Sequence, residues 1–313
     1  MKIVRMACVV AMGLVVAAPA SAQIGRIGQA GKTIGKSVDK TLKTGAKAWN
    51  DAELTEPEEQ KLGADVSAKL RQKYGVAQDA AVHKYVSVLG TLLAQNSARP
   101  KIRWTFIVLD TDGINAFAAP GGYVHITRGA LALIKNEAEL ACVLAHEITH
   151  ITAKHTVKAI EKSNKLNAVT DTVGELTRTK FLDDLANLTY EKLLENSFDR
   201  GDEEESDEVG IILASKMGYA PEGLGAFLSR LAERNRGLKE RSGIFASHLE
   251  TESRLETLSE VITGKQLRGA ATVQPRYARS ISYKLLPIKD IPQVAPPAAA
   301  STAKAERSSR RSP

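Results

Sequence analysis

Residues 137–150 read EAELACVLAHEITH, and the reading of the whole chain starts from this stretch. Nothing in Glu137 to Ala145 breaks a helix, Asn136 is a good N-cap, and Glu139 stands at the capping-box position. His146 and His150 are four apart. On that helix they sit one turn above each other, and both imidazoles can reach the same ion. Zinc takes imidazole nitrogens at about 2.0–2.1 Å, a bite that consecutive turns of one face allow. Glu147 projects about 100° around from His146, beside such an ion rather than onto it. A carboxylate there can take the proton from water as that water attacks a carbonyl.

A catalytic zinc wants three protein ligands and one open position. The remaining histidines, His83, His125, His155 and His248, do not repeat at a spacing that adds a third imidazole on the same helix. The other route is a carboxylate from a later helix. Residues 199–208 (DRGDEEESDE) hold seven acids in ten, at the mouth of a helix expected over 209–217. One reading makes this run a solvated helix start favoured by the dipole. The other turns an acid inward: Glu203 and Asp207 are four apart and share a face, so one can bind metal while the other orients a histidine. His155, nine residues after His146, falls half a turn around the same helix and is expected to face away from the ion, as a structural residue or one supporting the site from behind its ligands. His125 is read as a surface residue beside a strand, and Cys142 as a buried small side chain.

The rest of the chain is consistent with an enzyme of ordinary size. It has 313 residues, 43% apolar and 25% charged, which excludes a wholly disordered chain and a polytopic membrane protein. Two cysteines exclude a disulfide framework. The net charge of +7 is concentrated in the ends and leaves a mildly acidic body, so no nucleic-acid partner is expected. Lys2 and Arg5, the apolar run Met6 to Ala18 and Ala20-Ser21-Ala22 read as an export signal over residues 1–22, cut before Gln23 and too short to span a bilayer. Residues 23–52 are a basic, Gly-rich linker or an amphipathic segment; the lysines of 23–49 would suit peripheral contact with an anionic membrane surface.

The peptidase-sized domain is placed at 53–265. Helices are expected over 56–74 and 79–96, a strand over Ile102 to Leu109, and two short strands, Ala116 to Ala119 and Tyr123 to Ile126, hinged at Pro120-Gly121-Gly122. A helix near 128–135 follows, then the helix carrying the two histidines, then helical periodicity with breaks to about 237. Residues 266–313 are an ambiguous extension and a disordered Pro/Ala then Ser/Arg tail. The fold class is α+β, mostly helical, with a small sheet.

Several stretches together resemble the zinc endopeptidase family of the CAAX prenyl proteases and the bacterial heat-shock membrane peptidase, in its soluble exported branch. They are Asn115 to Gly122, Thr127-Arg128-Gly129-Ala130-Leu131, Asn136 to Leu140, His146 to His155, Glu203 to Gly210, Met217 to Pro221, and Ser247-His248 with Arg254 six residues later. The resemblance implies a zincin-type fold and one zinc per chain, with His146, His150 and Glu203 as ligands and Glu147 as general base. It makes Asp207 the carboxylate behind a ligand histidine. His248 becomes a withdrawing fourth ligand or a polariser of the oxyanion, steadied by Arg254. Asn115 to Val124, including Gly121, Gly122 and Tyr123, would form the edge strand on which an extended substrate pairs. Ser206 departs from the family's small alanine, Leu249 from its proline, and the branch's helical repeats are missing.

These readings imply an exported, periplasmic zinc metalloprotease that hydrolyses unfolded or misfolded envelope polypeptides in protein quality control. The alternative is a zinc-stabilised periplasmic chaperone or scaffold that binds polypeptides on the same strand with little cleavage.

Overall fold

The computed structural model describes residues 54–162, 178–195, 198–236, 251–287 and 290. The export signal, the basic segment to Glu53, His248 and the tail beyond Asp290 lie outside the described residues.

The chain enters through helix α1, Glu56–Tyr74, whose start is fixed where the sequence placed it: the Thr55 amide donates to Glu58 Oε2 at 3.0 Å, and Pro57 lies in the first turn. Leu62, Val66 and Leu70 form its buried stripe. Helix α2, Ala80–Gln95, is capped by Asp79, which accepts from the amides of Ala81 and Val82.

A three-stranded sheet follows, made of β1 (Thr105–Leu109), β2 (Ala116–Ala119) and β3 (Tyr123–Thr127) in the order β1-β3-β2. β3 runs parallel to β1, with Thr105 opposite Tyr123, and antiparallel to β2, with Phe117 opposite His125. The first strand is three residues shorter at its start than the alternation suggested. Its ladder with β3 starts at Thr105 opposite Tyr123, the first residue of β3, so Ile102 to Trp104 lie before the start of the pairing. Successive residues feed opposite faces. Phe106, Val108, Val124 and Ile126 face the main core with α2, while Leu109, Phe117 and Ala119 pack with the α1 stripe.

Helix α3, Arg128–Leu133, leads to α4, Glu137–Thr152, the helix on which the sequence reading turned. Asn136 caps α4 through the Glu139 amide at 3.0 Å, and every residue from Glu137 to Ile151 is buried. A helix buried all round needs neighbours on every side. They are α2, β2, α5 (His155–Lys162), α7 (Arg200–Lys216), α8 (Gly223–Arg234) and α10 (Gln274–Ser280). α6 (Arg178–Glu195) packs on α1, and α9 (Thr251–Gly264) on α7 and α8.

The segment after Lys265, ambiguous in sequence, is tied to the domain by long-range backbone bonds. The amides of Ala270 and Ala271 donate to Gly218 O, and Thr272 O accepts from the Glu137 amide at 3.0 Å, satisfying an otherwise orphaned donor at the start of α4. The Glu137 carboxylate takes Tyr85 Oη at 2.6 Å, Tyr219 Oη at 2.5 Å and the guanidinium of Arg276. Burial would raise this carboxyl, but those three donors hold it below its ordinary value.

Candidate active site

The two imidazoles on α4 converge, with Nε2 of His146 and Nε2 of His150 3.0 Å apart. Glu203, one turn into α7, reaches both: Oε2 lies 3.6 Å from His146 Nε2 and Oε1 3.5 Å from His150 Nε2. These three are the one group of His, Cys, Asp or Glu side chains among the described residues whose ligand atoms could close on a metal ion, and all three are buried. Ligands at about 2.0–2.1 Å around a tetrahedral ion stand roughly 3.3 Å from one another. The observed 3.0–3.6 Å brackets that spacing, and two neutral imidazoles with one carboxylate suit zinc with an open fourth position.

The acidic run is not the mouth of a helix over 209–217. Helix α7 starts at Arg200, so the acids occupy its first turns and their facing is set by helical phase. Glu203, Ser206 and Asp207 point inward; Glu204 pairs with Arg200 at the surface. Asp207 Oδ1 lies 2.9 Å from His146 Nδ1 and accepts from Arg254 Nη2 at 2.6 Å, while Oδ2 accepts from Arg254 Nε at 2.7 Å. Burial would raise the Asp207 carboxyl, but the Arg254 charge and the bonds from His146 and Arg254 hold it far below the usual range. Arg254 Nη1 also stands 3.4 Å from Glu203 Oε2, so one guanidinium spans both carboxylates of α7.

Glu147 is buried next to this group, and its Oε1 has no hydrogen-bond partner among the described residues. Burial, with the Glu203 charge beside it, pushes its carboxyl up to about 7. A divalent cation between His146 and His150 would pull the other way.

The chain matches Peptidase family M48 over residues 78–262. It belongs to that family. The beta-barrel assembly-enhancing protease of Yersinia pestis is 29% identical over 212 residues, 65% of this chain and 44% of that protein. Its namesake from Escherichia coli K12 is 27% identical over 237 residues, 73% of this chain and 48% of that one. The mitochondrial metalloendopeptidase OMA1 of Schizosaccharomyces pombe is 25% identical over 220 residues, 67% of this chain and 63% of that relative. The chain thus spans about half the length of the bacterial relatives it matches. As an M48 peptidase it is a zinc metalloprotease by family, and no helix among its described residues is long and apolar enough to cross a membrane.

Other expectations for this M48 chain meet a different placement. Asn115 closes the start of β2, its amide donating to Thr127 Oγ1 and its carbonyl accepting from the Thr127 amide. Of the two strands between Asn115 and Thr127, β2 lies at an edge of the sheet, whereas Tyr123 belongs to β3, the middle strand. The glycine backbone of the hinge is approached by the chain itself: a Cβ on Gly121 would stand 2.5 Å from Glu59 O, and one on Gly122 2.5 Å from Arg103 O. His125 is fully buried, Nε2 2.9 Å from Ser67 Oγ, because β3 is covered by α1. His155 does not turn away, since α4 ends at Thr152 and Nδ1 of His155 comes within 3.0 Å of Nδ1 of His150. Phe198, which the sequence did not single out, stacks on the His150 ring with centroids 4.2 Å apart. A lone phenylalanine before an acidic run carries no signal of such a contact.

Proposed function

We propose that this chain is an exported zinc endopeptidase that cuts extended, unfolded or misfolded envelope polypeptides. The observation that carries the reading is the convergence of His146, His150 and Glu203 beside a carboxylate oxygen of Glu147 that has no hydrogen-bond partner among the described residues. Zinc held by those three would supply a Lewis acid for the scissile carbonyl and a water of lowered pKa. Glu147, beside that group, would accept a proton from an attacking water and pass it to the leaving amine. Asp207 and Arg254 hold the His146 ring, so its Nε2 faces His150 and Glu203, where the three would hold a metal. His248, outside the described residues, serves as a withdrawing fourth ligand or polarises the oxyanion. Substrate pairs by backbone bonds along the outer edge of β2. The export signal read in residues 1–22 and the beta-barrel assembly named in the bacterial relatives support an envelope location.

The test is zinc quantification paired with casein digestion. The parent is expected to hold one zinc and to digest casein in a chelator-sensitive way. Glu147→Gln should keep the zinc and lose cleavage. Casein binding without cleavage by the parent would overturn the peptidase reading in favour of a polypeptide-binding scaffold.

A further inference from the structure

Lys154 is one of few non-glycine residues with a left-handed backbone, at φ 59°. It reverses the chain between the end of α4 at Thr152 and the start of α5 at His155. On an unbroken helix, His155 would lie about 140° around from His150. The reversal returns it beneath that ring instead: the two Nδ1 atoms are 3.0 Å apart, with the rings edge-on at 79°. His155 is wholly buried, Ser206 Oγ lies 3.3 Å from its Nδ1, and Glu205 Oε2 lies 3.2 Å from its Nε2, with Asp202 Oδ1 at 3.7 Å.

We propose that His155 is a positioning residue for His150, fixing the ring and the tautomer in which Nε2 of His150 turns a lone pair, not a proton, toward His146 and Glu203. The inference rests on the metal reading given above. A nitrogen-to-nitrogen contact needs one N–H and one lone pair. If His150 offers a bare Nε2, its proton sits on Nδ1 and is donated to Nδ1 of His155. That nitrogen must then be bare, its one lone pair turned to His150, with the longer Ser206 contact secondary to it. The His155 proton is left on Nε2, where it faces the carboxylates of Glu205 and Asp202, which only accept. With Nε2 of His150 given to a metal, this arrangement suits the contacts of His155 with His150, Glu205 and Asp202. The opposite arrangement places the His150 proton on Nε2, among the ligand atoms. His146 is served by a carboxylate, Asp207; the other imidazole is served by a second imidazole, and Phe198 stacked on its face restrains the same ring.

Two measurements on the full-length chain decide it. Nitrogen-15 histidine spectra of the zinc-loaded parent should show the proton of His155 on Nε2 and that of His150 on Nδ1; a proton on Nδ1 of His155 overturns the proposal. Zinc dissociation constants from chelator competition should weaken ten- to a hundredfold in His155→Phe, which keeps the ring and loses the acceptor. His155→Asn, which restores an acceptor near the Nδ1 position, should recover most of that loss. Affinity in His155→Phe within twofold of the parent also overturns the proposal. If His155→Phe does not fold, the parent spectra alone decide. A parent that takes up no zinc would instead sink the metal reading itself.

Discussion

Gly210 of α7 lies so close to the backbone of His146 on α4 that a Cβ placed on it would stand 2.9 Å from the His146 nitrogen and 3.1 Å from its Cα. The crossing of these two helices brings Glu203 and Asp207, two turns and one turn before the glycine, onto the α4 histidines. A side chain at the crossing would push backbone against backbone, where nothing flexible can give.

Gly210→Ala therefore separates two effects. The methyl gains up to about 1 kcal/mol of helix propensity, while overpacking costs typically 1–3 kcal/mol. Urea unfolding of the metal-free protein should show a loss of no more than about 2 kcal/mol, whereas zinc affinity should fall by at least tenfold. Unchanged zinc affinity would show that the helix spacing does not set the ligand geometry.

The three consecutive glutamates of α7 offer an internal control. Glu203 is buried between both imidazoles and Arg254; Glu204 reaches only Arg200, at the surface. Partners behind a ligand are worth roughly ten- to a hundredfold in metal affinity, so Glu203→Ala should lose at least about a hundredfold. Glu204→Ala removes an exposed i,i+4 pair worth about 0.3–0.5 kcal/mol and should leave zinc binding alone. Equilibrium dialysis of both variants checks this, and the reverse order would move the third ligand.

What was legible in the sequence is what depends on spacing along one element. The caps at Thr55, Asp79 and Asn136, the stripes of α1 and α2, and the four-residue steps from His146 to His150 and from Glu203 to Asp207 are all of this kind. What was misread depends on the chain leaving an element. The placement of His155 assumed that α4 continued, and nothing about a lysine at position 154 announces a left-handed residue. Strand order, not strand pattern, buries His125 and makes Tyr123 central. Ala270 to Thr272 carry no periodicity because their backbone bonds go to Gly218 and Glu137, far away in sequence, and α10 after them is only seven residues long.

His125 makes acid stability a test of that burial. Desolvation between β3 and α1, helped by the nearby Arg71 charge, lowers its pKa from 6.5 to about 3. Between those values the unfolded chain binds a proton that the folded chain refuses. Stability is fully present above about pH 6.5 and falls as pH drops toward 3, by at most about 1.4 kcal/mol per pH unit from this residue. His125→Gln retains a polar partner for Ser67 and cannot titrate. The difference in urea midpoint between parent and variant should grow in the variant's favour from pH 7 to pH 4.5; a difference independent of pH would place the histidine within reach of water.

The edge of β2 supplies the last prediction. The bond from the Thr127 amide to Asn115 O sets the phase of the antiparallel ladder, so Phe117 and Ala119 point their backbone groups at β3, and Ala116 and Ala118 point theirs outward. An incoming extended peptide would pair with that outward set. Yet Ala118 O already accepts from the Thr156 hydroxyl of α5 at 3.3 Å, and all four residues of the strand are buried. A substrate amide has to displace that hydroxyl before it can bond to Ala118. One such bond is worth about 1 kcal/mol net, equivalent to roughly a fivefold change in an equilibrium constant. Thr156→Val keeps the branched shape and removes the donor, leaving the Ala118 carbonyl for the substrate. Cleavage of an extended peptide should then show a KM lowered by a few-fold with kcat unchanged, because the competition is for binding and not for the proton transfers at Glu147. A KM equal to that of the parent would mean that substrate backbones do not pair at Ala118, and the binding strand would have to be sought elsewhere.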